Sequence, residues 1–194
     1  KISGLVLTNW DICDRLPPRE EWKRSYYGLD FGFTNDPTAQ EHVVEAHGAL
    51  WVDEEIYSTG LTNPMIAERA KGEGITSQQV IIADCAEPKS IAEISDAGYN
   101  VQPCDKDAPV RSEKLTFQLQ WMQGWTLRVT KQSLNLIPEL RNYTWAQDRD
   151  GNPLTYLDVV SSKECLESDI AKKCTSDKAL RIINRILEPR EKKI

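Results

Sequence analysis

The stretch that decides the fold is "QQVIIADCAEPKSIAEISDAG", Gln78 to Gly98. Val80 to Ala83 form a short apolar run that stops at Asp84. A helix is expected from Pro88, with Glu87 as its cap and Gly98 at its end, because proline suits a first helical turn and glycine an exit. A strand that hands over directly to a helix is half of a crossover unit, and such units build sheets with helices on their faces.

Upstream, "RSYYGLDFGF" reads as a strand, and "AQEHVVEAHGALWVDEEIYST" as two more that turn at His47-Gly48, giving an antiparallel meander. "NPMIAERAKGEG" has helical spacing, with Asn63 as N-cap, Pro64 at the first position and Gly72 or Gly74 at the end. Downstream come a strand in "YNVQPCD", a helix in "VRSEKLTFQLQWM", a strand in "WTLRVTK" and a proline-containing helix in "SLNLIPELRNYTW". "DRDGNP" is a turn, and Ser161 to Arg190 is helix-like. The expected class is α/β: a mixed sheet, with the antiparallel meander followed by helix–strand alternation, and helices on its faces. The opening residues, through "CDRLPPREEW", read as an irregular arm entering the domain at about Lys23.

The chain has 194 residues, 40% hydrophobic and 28% charged, enough for one cored domain. No apolar run approaches the roughly 20 residues of a membrane span, so no membrane partner is expected. The start has no signal-peptide pattern and no initiator Met, as expected of a piece of a longer protein. Five cysteines, Cys13, Cys85, Cys104, Cys165 and Cys174, are scattered without a C-x-x-C pair. That pattern opposes a zinc ribbon or a disulfide framework and suits a reducing compartment. A formal charge of −6 gives no net attraction to nucleic acid, although carboxylates that hold metal are themselves acidic.

Two aspartates carry the chemistry. In "GLDFGFTND", Gly28 to Asp36, a strand would place Leu29, Phe31 and Phe33 on one face and Asp30 and Gly32 on the other. A carboxylate in such a place needs a metal, a phosphate-bound metal or a hydrogen-bond network as partner. Asp84 ends the apolar strand before the helix, and strand ends are where open sheets with crossovers bind ligands. Carboxylates on neighbouring strands suit Mg²⁺, a hard ion held by a few carboxylates and waters, and a pair of such ions supports phosphodiester cleavage. Each aspartate read singly is more often a turn former or a helix cap than a metal ligand.

The phrases "YYGLDFGFTNDPTA", "DEEIYSTGLTN", "IIADCAEPKSIAEISDAGYNVQP" and "LRVTKQSLNLIPELRNYTWAQDRDGNP" resemble, in order, the C-terminal nuclease domain of the tailed-bacteriophage terminase large subunit. The resemblance implies a ribonuclease H-like fold and a metal-dependent endonuclease that cuts double-stranded, concatemeric DNA with Mg²⁺ or Mn²⁺ at a two-metal site. It places Asp30 and Asp84 as catalytic metal ligands. It also implies a terminase small subunit and a portal as partners, an ATPase domain of the same chain, and the bacterial host cytoplasm as the location. On that reading residues 1–22 are the arm from the absent ATPase domain, 23–160 the nuclease domain and 161–194 a helical tail.

The tail departs from the family. The usual Asn-His-x-x-Asp-Ala-x-Arg-Tyr motif is missing, and no histidine follows His47. The nearest echo is "SDKALRI", which makes Asp177 the candidate third metal ligand, with Asp158, Glu164 and Asp169 as competitors. Asp177 is equally explained as a favourable charge at a helix N-terminus. Two other functions start from the same residues: a packaging module docked on the portal with an incomplete metal site, and an actin- or sugar-kinase-like ATP-binding fold built on "DFGFTN". Glu87 and Lys89 flank the second aspartate as a cap or supporting group and as a surface charge or phosphate contact. Either Glu54 or Glu55 could face the site, His42 and His47 read as surface residues of the hairpin, and the six tryptophans as packing residues. Lys23, Arg24, Arg111, Lys114, Arg128, Lys131 and Arg141 are candidate phosphate contacts.

Overall fold

A computed structural model describes residues 5–104 and 120–145. Its centre is the expected meander: β2 (Arg24–Asp30), β3 (Thr38–Ala46) and β4 (Ala49–Ser58), paired antiparallel. β3 and β4 are joined at His47-Gly48, with φ of 53° and 69°. Two successive positive φ values match the right-handed twist of a hairpin, and Ala46 pairs Ala49 directly across the two-residue loop.

The rest of the sheet is parallel. The sequence runs on through α1 (Asn63–Gly72), β5 (Val80–Ala83), α2 (Pro88–Asp96), β6 (Asn100–Pro103), β7 (Leu127–Thr130) and α3 (Leu136–Asn142). With β1 (Trp10–Cys13), the seven strands lie in the order β1-β7-β4-β3-β2-β5-β6. β5 lies parallel beside β2, and β6 beside β5. β1 is a correction to the sequence reading. The opening segment, expected to be irregular, pairs Trp10 to Cys13 in parallel with Leu127 to Thr130, and Val6 and Leu7 are buried. Polar Asp11 and Asp14 hid the strand, because their charges are answered by Arg128 and Lys131.

Side chains alternate between two cores. Tyr27, Leu29, Ile81 and Ala83 pack with Ile66 and Ala70 of α1 and Ile94 of α2. Ala39, Val43, Val52, Ile82, Leu127 and Val129 pack on the opposite face with Leu136, Ile137 and Leu140 of α3. Helix α1 begins one residue earlier than expected: Thr62 is its N-cap and Asn63 already lies inside, where its amide donates to Glu93 Oε2 at 2.6 Å and ties α1 to α2. Gly98, at φ 101°, ends α2 as expected.

Candidate functional site

Asp30 is the last residue of β2 and is 4% exposed. In the parallel pair β2–β5, Leu29 stands opposite Ala83, and the ladder continues one step further because the Asp84 N–H donates to the Leu29 carbonyl at 3.1 Å. Asp30 and Asp84 are therefore neighbours at the same end of adjacent strands. Leu29 and Ala83 both belong to the α1/α2 core, so each following aspartate turns to the α3 face. Adjacent strands are about 4.8 Å apart, so the two backbone positions lie side by side.

The backbone around the pair is shaped by small residues. Gly28, two residues before Asp30, lies on the same face and presents no side chain there. Gly32 sits where a Cβ would come within 2.2 Å of the Asp36 carbonyl and 2.5 Å of the Pro37 carbonyl, so the loop after β2 folds back only with glycine. Thr38 Oγ1 donates to the Gly32 carbonyl at 2.9 Å and locks that return. Phe31 packs in the α1/α2 core as the alternation predicts, whereas Phe33 leaves the strand and is 57% exposed. On Asp84, Oδ1 accepts the Ala86 N–H at 3.0 Å in a side-chain turn that leads into α2.

A third carboxylate on this face escaped the sequence reading. Glu41 pairs Gly28 on one side and Glu54 on the other, one alternation step from Ala39, which stands opposite Asp30. It is wholly buried, and among the described residues neither carboxyl oxygen has a hydrogen-bond partner. Burial, reinforced by Glu54 and Glu139, pushes its carboxyl well above the usual carboxylate range. The only signal in the sequence was three consecutive polar residues, Gln40, Glu41 and His42, in the middle of a strand. That run breaks the alternation that would have revealed the faces.

Glu54, Glu55 and Asp53 have partners within the fold. Glu54 accepts the backbone N–H groups of Asn135 at 3.0 Å and Leu136 at 2.8 Å, and the Asn135 amide at 2.8 Å, thereby starting α3. A bulge between Gln40 and Glu41 lets β4 turn Glu55 to the other face, where it lies 3.5 Å from His42 Nδ1. His42 corrects the sequence reading, being 3% exposed, stacked on Tyr27 at 4.1 Å and 2.8 Å from Ser25 Oγ. Asp53 accepts Thr130 Oγ1 and, at 2.8 Å, the Gln132 amide; burial still pushes its carboxyl up, partly offset by these bonds. Lys23 pairs with Glu45, Arg128 with Asp11 and Lys131 with Asp14, so these three cations are committed within the fold. Asp177, Asp158, Glu164, Asp169, Arg111 and Lys114 lie outside the described residues.

The solved structures that resemble this one share its fold. The nuclease domain of the g2p large terminase of bacteriophage SPP1, determined with bound Mn, is 21% identical over 75% of this chain and 84% of that one, with a TM-score of 0.61. The large terminase nuclease of the thermophilic phage G20c with bound magnesium is 17% identical over 78% of this chain and 87% of that one, at TM-score 0.54. A large terminase from another thermophilic bacteriophage, in complex with ADP, is 18% identical over 73% of this chain and 37% of its own, at TM-score 0.58. No curated protein matches the sequence. The model of the terminase RNase H-like domain family matches residues 30–170, from the first aspartate into the tail. A mixed sheet with Asp30 and Asp84 at one end, together with that match over most of the sequence, leads to one conclusion: the chain belongs to the terminase RNase H-like domain family.

Proposed function

We propose that this chain is the metal-dependent endonuclease domain of a phage packaging terminase, cutting double-stranded DNA at a site built on Asp30 and Asp84. The observation that carries the reading is their position at the same end of adjacent parallel strands, on one face, with Asp30 almost fully buried. Asp30 and Asp84 offer carboxylate oxygens, the donors that Mg²⁺ or Mn²⁺ prefers, and waters and phosphate oxygens would complete the shell. Buried Glu41 fits as well, since a cation beside Asp30 supplies the positive charge that its surroundings otherwise deny it. When bound, one or two such ions activate water and stabilise the leaving oxygen of a phosphodiester.

The chain's own part is positioning. Strand β2 fixes Asp30 from within the sheet, while the Ala86 N–H holds Asp84 by Oδ1. Asp177 remains the proposed third ligand from the tail. The SPP1 and G20c nucleases were determined with Mn and magnesium, which supports the same class of ion here. The terminase small subunit, the portal, an ATPase domain of the same chain and the host cytoplasm follow from this reading. The kinase-like alternative loses its basis with the family assignment. A second reading, a packaging module with an impaired site, is favoured by the missing histidine motif after His47.

Plasmid cleavage separates the two. Asp30→Asn keeps the size and removes the charge, so it should lower Mn²⁺-dependent nicking by orders of magnitude while circular dichroism stays that of the parent. Undiminished nicking by the folded variant contradicts the assignment, and a parent chain that binds Mn²⁺ without nicking supports the packaging module.

A further inference from the structure

The row of strand ends does not stop at the aspartates. β5 and β6 run in parallel register with Ala83 opposite Pro103, and the Cys104 N–H donates to the Ala83 carbonyl at 2.8 Å. Cys104 is therefore the next residue opposite Asp84, as Asp84 is opposite Asp30. Cys85 follows Asp84 in the chain. The Sγ atoms of Cys85 and Cys104 and a carboxylate oxygen of Asp84 all lie within 4.8 Å of one another. Both cysteines are thiols, and all three residues are partly exposed, so an ion from solvent has access.

We propose that Asp84, Cys85 and Cys104 form a binding site for a thiophilic divalent cation of the zinc class, distinct in chemistry from the hard-ion site of Asp30 and Asp84. Two thiolates select zinc-like ions over Mg²⁺, Mn²⁺ or Ca²⁺, which prefer oxygen. Three protein ligands and one open position is the composition of an accessible zinc centre. With bonds of about 2.3 Å to sulfur and about 2.0–2.2 Å to oxygen, a tetrahedral ion needs its ligand atoms roughly 3.5–3.8 Å apart. Backbone hydrogen bonds anchor Asp84 and Cys104 at the strand ends, and Cys85 follows in the turn, so side-chain rotation is the movement that closure of the site would need. Each thiol releases its proton to solvent as the ion binds, and no redox change is involved.

The site shares Asp84 with the proposed nuclease centre, and this consequence rests on that reading. An ion held by the two thiolates takes Asp84 as its oxygen ligand and removes it from the Mn²⁺ site. The domain then carries a zinc-class inhibitor site built from its own second motif.

Cobalt spectroscopy of the full 194-residue chain, kept reduced with a phosphine, tests the proposal. Co²⁺ should produce a thiolate-to-cobalt charge-transfer band in the near ultraviolet that saturates at one ion per chain and is displaced by Zn²⁺. Cys85→Ser and Cys104→Ser should each weaken the binding by at least about tenfold, the lower end of what loss of even a supporting group costs a metal site. Asp84→Asn, which keeps both thiols, should weaken binding while leaving a thiolate band, and so guards against misfolded cysteine variants. Asp30→Asn should leave the band intact while abolishing Mn²⁺-dependent nicking, which separates this proposal from the nuclease reading. Absence of a charge-transfer band, or a band that persists with both cysteines replaced, overturns the site.

Discussion

Glu41 and Glu54 are direct partners across β3 and β4, on one face of one sheet, yet they live in opposite circumstances. Glu54 has three donors, two of them backbone N–H groups at the start of α3, and its charge is answered there. Glu41 has no donor among the described residues, and its carboxyl is held well above the usual range by burial and by Glu54 itself. The difference teaches how to separate structural from functional acids in this fold. A carboxylate satisfied by the chain explains itself, whereas one left buried and unsatisfied beside Asp30 marks where the fold tolerates a cost.

Glu54→Ala should have the largest effect on stability. It strips the cap from α3 and leaves two N–H groups without their acceptor, so chemical denaturation should show a loss of about 2–3 kcal/mol. A loss below about 0.5 kcal/mol would mean that α3 is held by its apolar contacts alone.

Glu41→Gln should act in the opposite direction and somewhat more weakly. Removing an ionisable group from a site with no donor should stabilise the metal-free chain by roughly 1–2 kcal/mol at neutral pH. The sign follows from the raised carboxyl. Its contribution to stability is complete below the ordinary carboxylate range and is lost as pH rises through its higher folded value. The advantage of the variant should therefore shrink as pH falls towards about 4, where Glu41 is protonated folded or unfolded. Saturating Mn²⁺ should shrink it too. Thermal melts across pH, with and without Mn²⁺, check both trends, and a gain that is constant with pH would remove charge from the explanation.

Much of this arrangement was legible in the sequence. Asp30 and Asp84 stood out because each ends an apolar strand, and the unit from Val80 to Gly98 reads locally, with proline and glycine marking its helix. The hairpin at His47-Gly48 was equally local. What failed was non-local. β1 was hidden because Asp11 within it and Asp14 just after it find their partners more than a hundred positions away. His42 read as exposed because its polar neighbours break the alternation, while its partners Tyr27, Ser25 and Glu55 come from other strands or another turn of the meander. Cys85 and Cys104 are nineteen positions apart in sequence, and only the parallel register of β5 and β6 brings them together.

The central claim, that Asp30 and Asp84 together hold the cation, is tested most directly by calorimetric titration of Mn²⁺ into the parent chain and into Asp84→Asn. Two carboxylates leave most of the coordination shell to water, so the parent should bind weakly, with a dissociation constant on the order of millimolar. Asp84→Asn, still folded by circular dichroism, should show no binding heat in that range. Mn²⁺ binding of parental strength in the folded variant would contradict it.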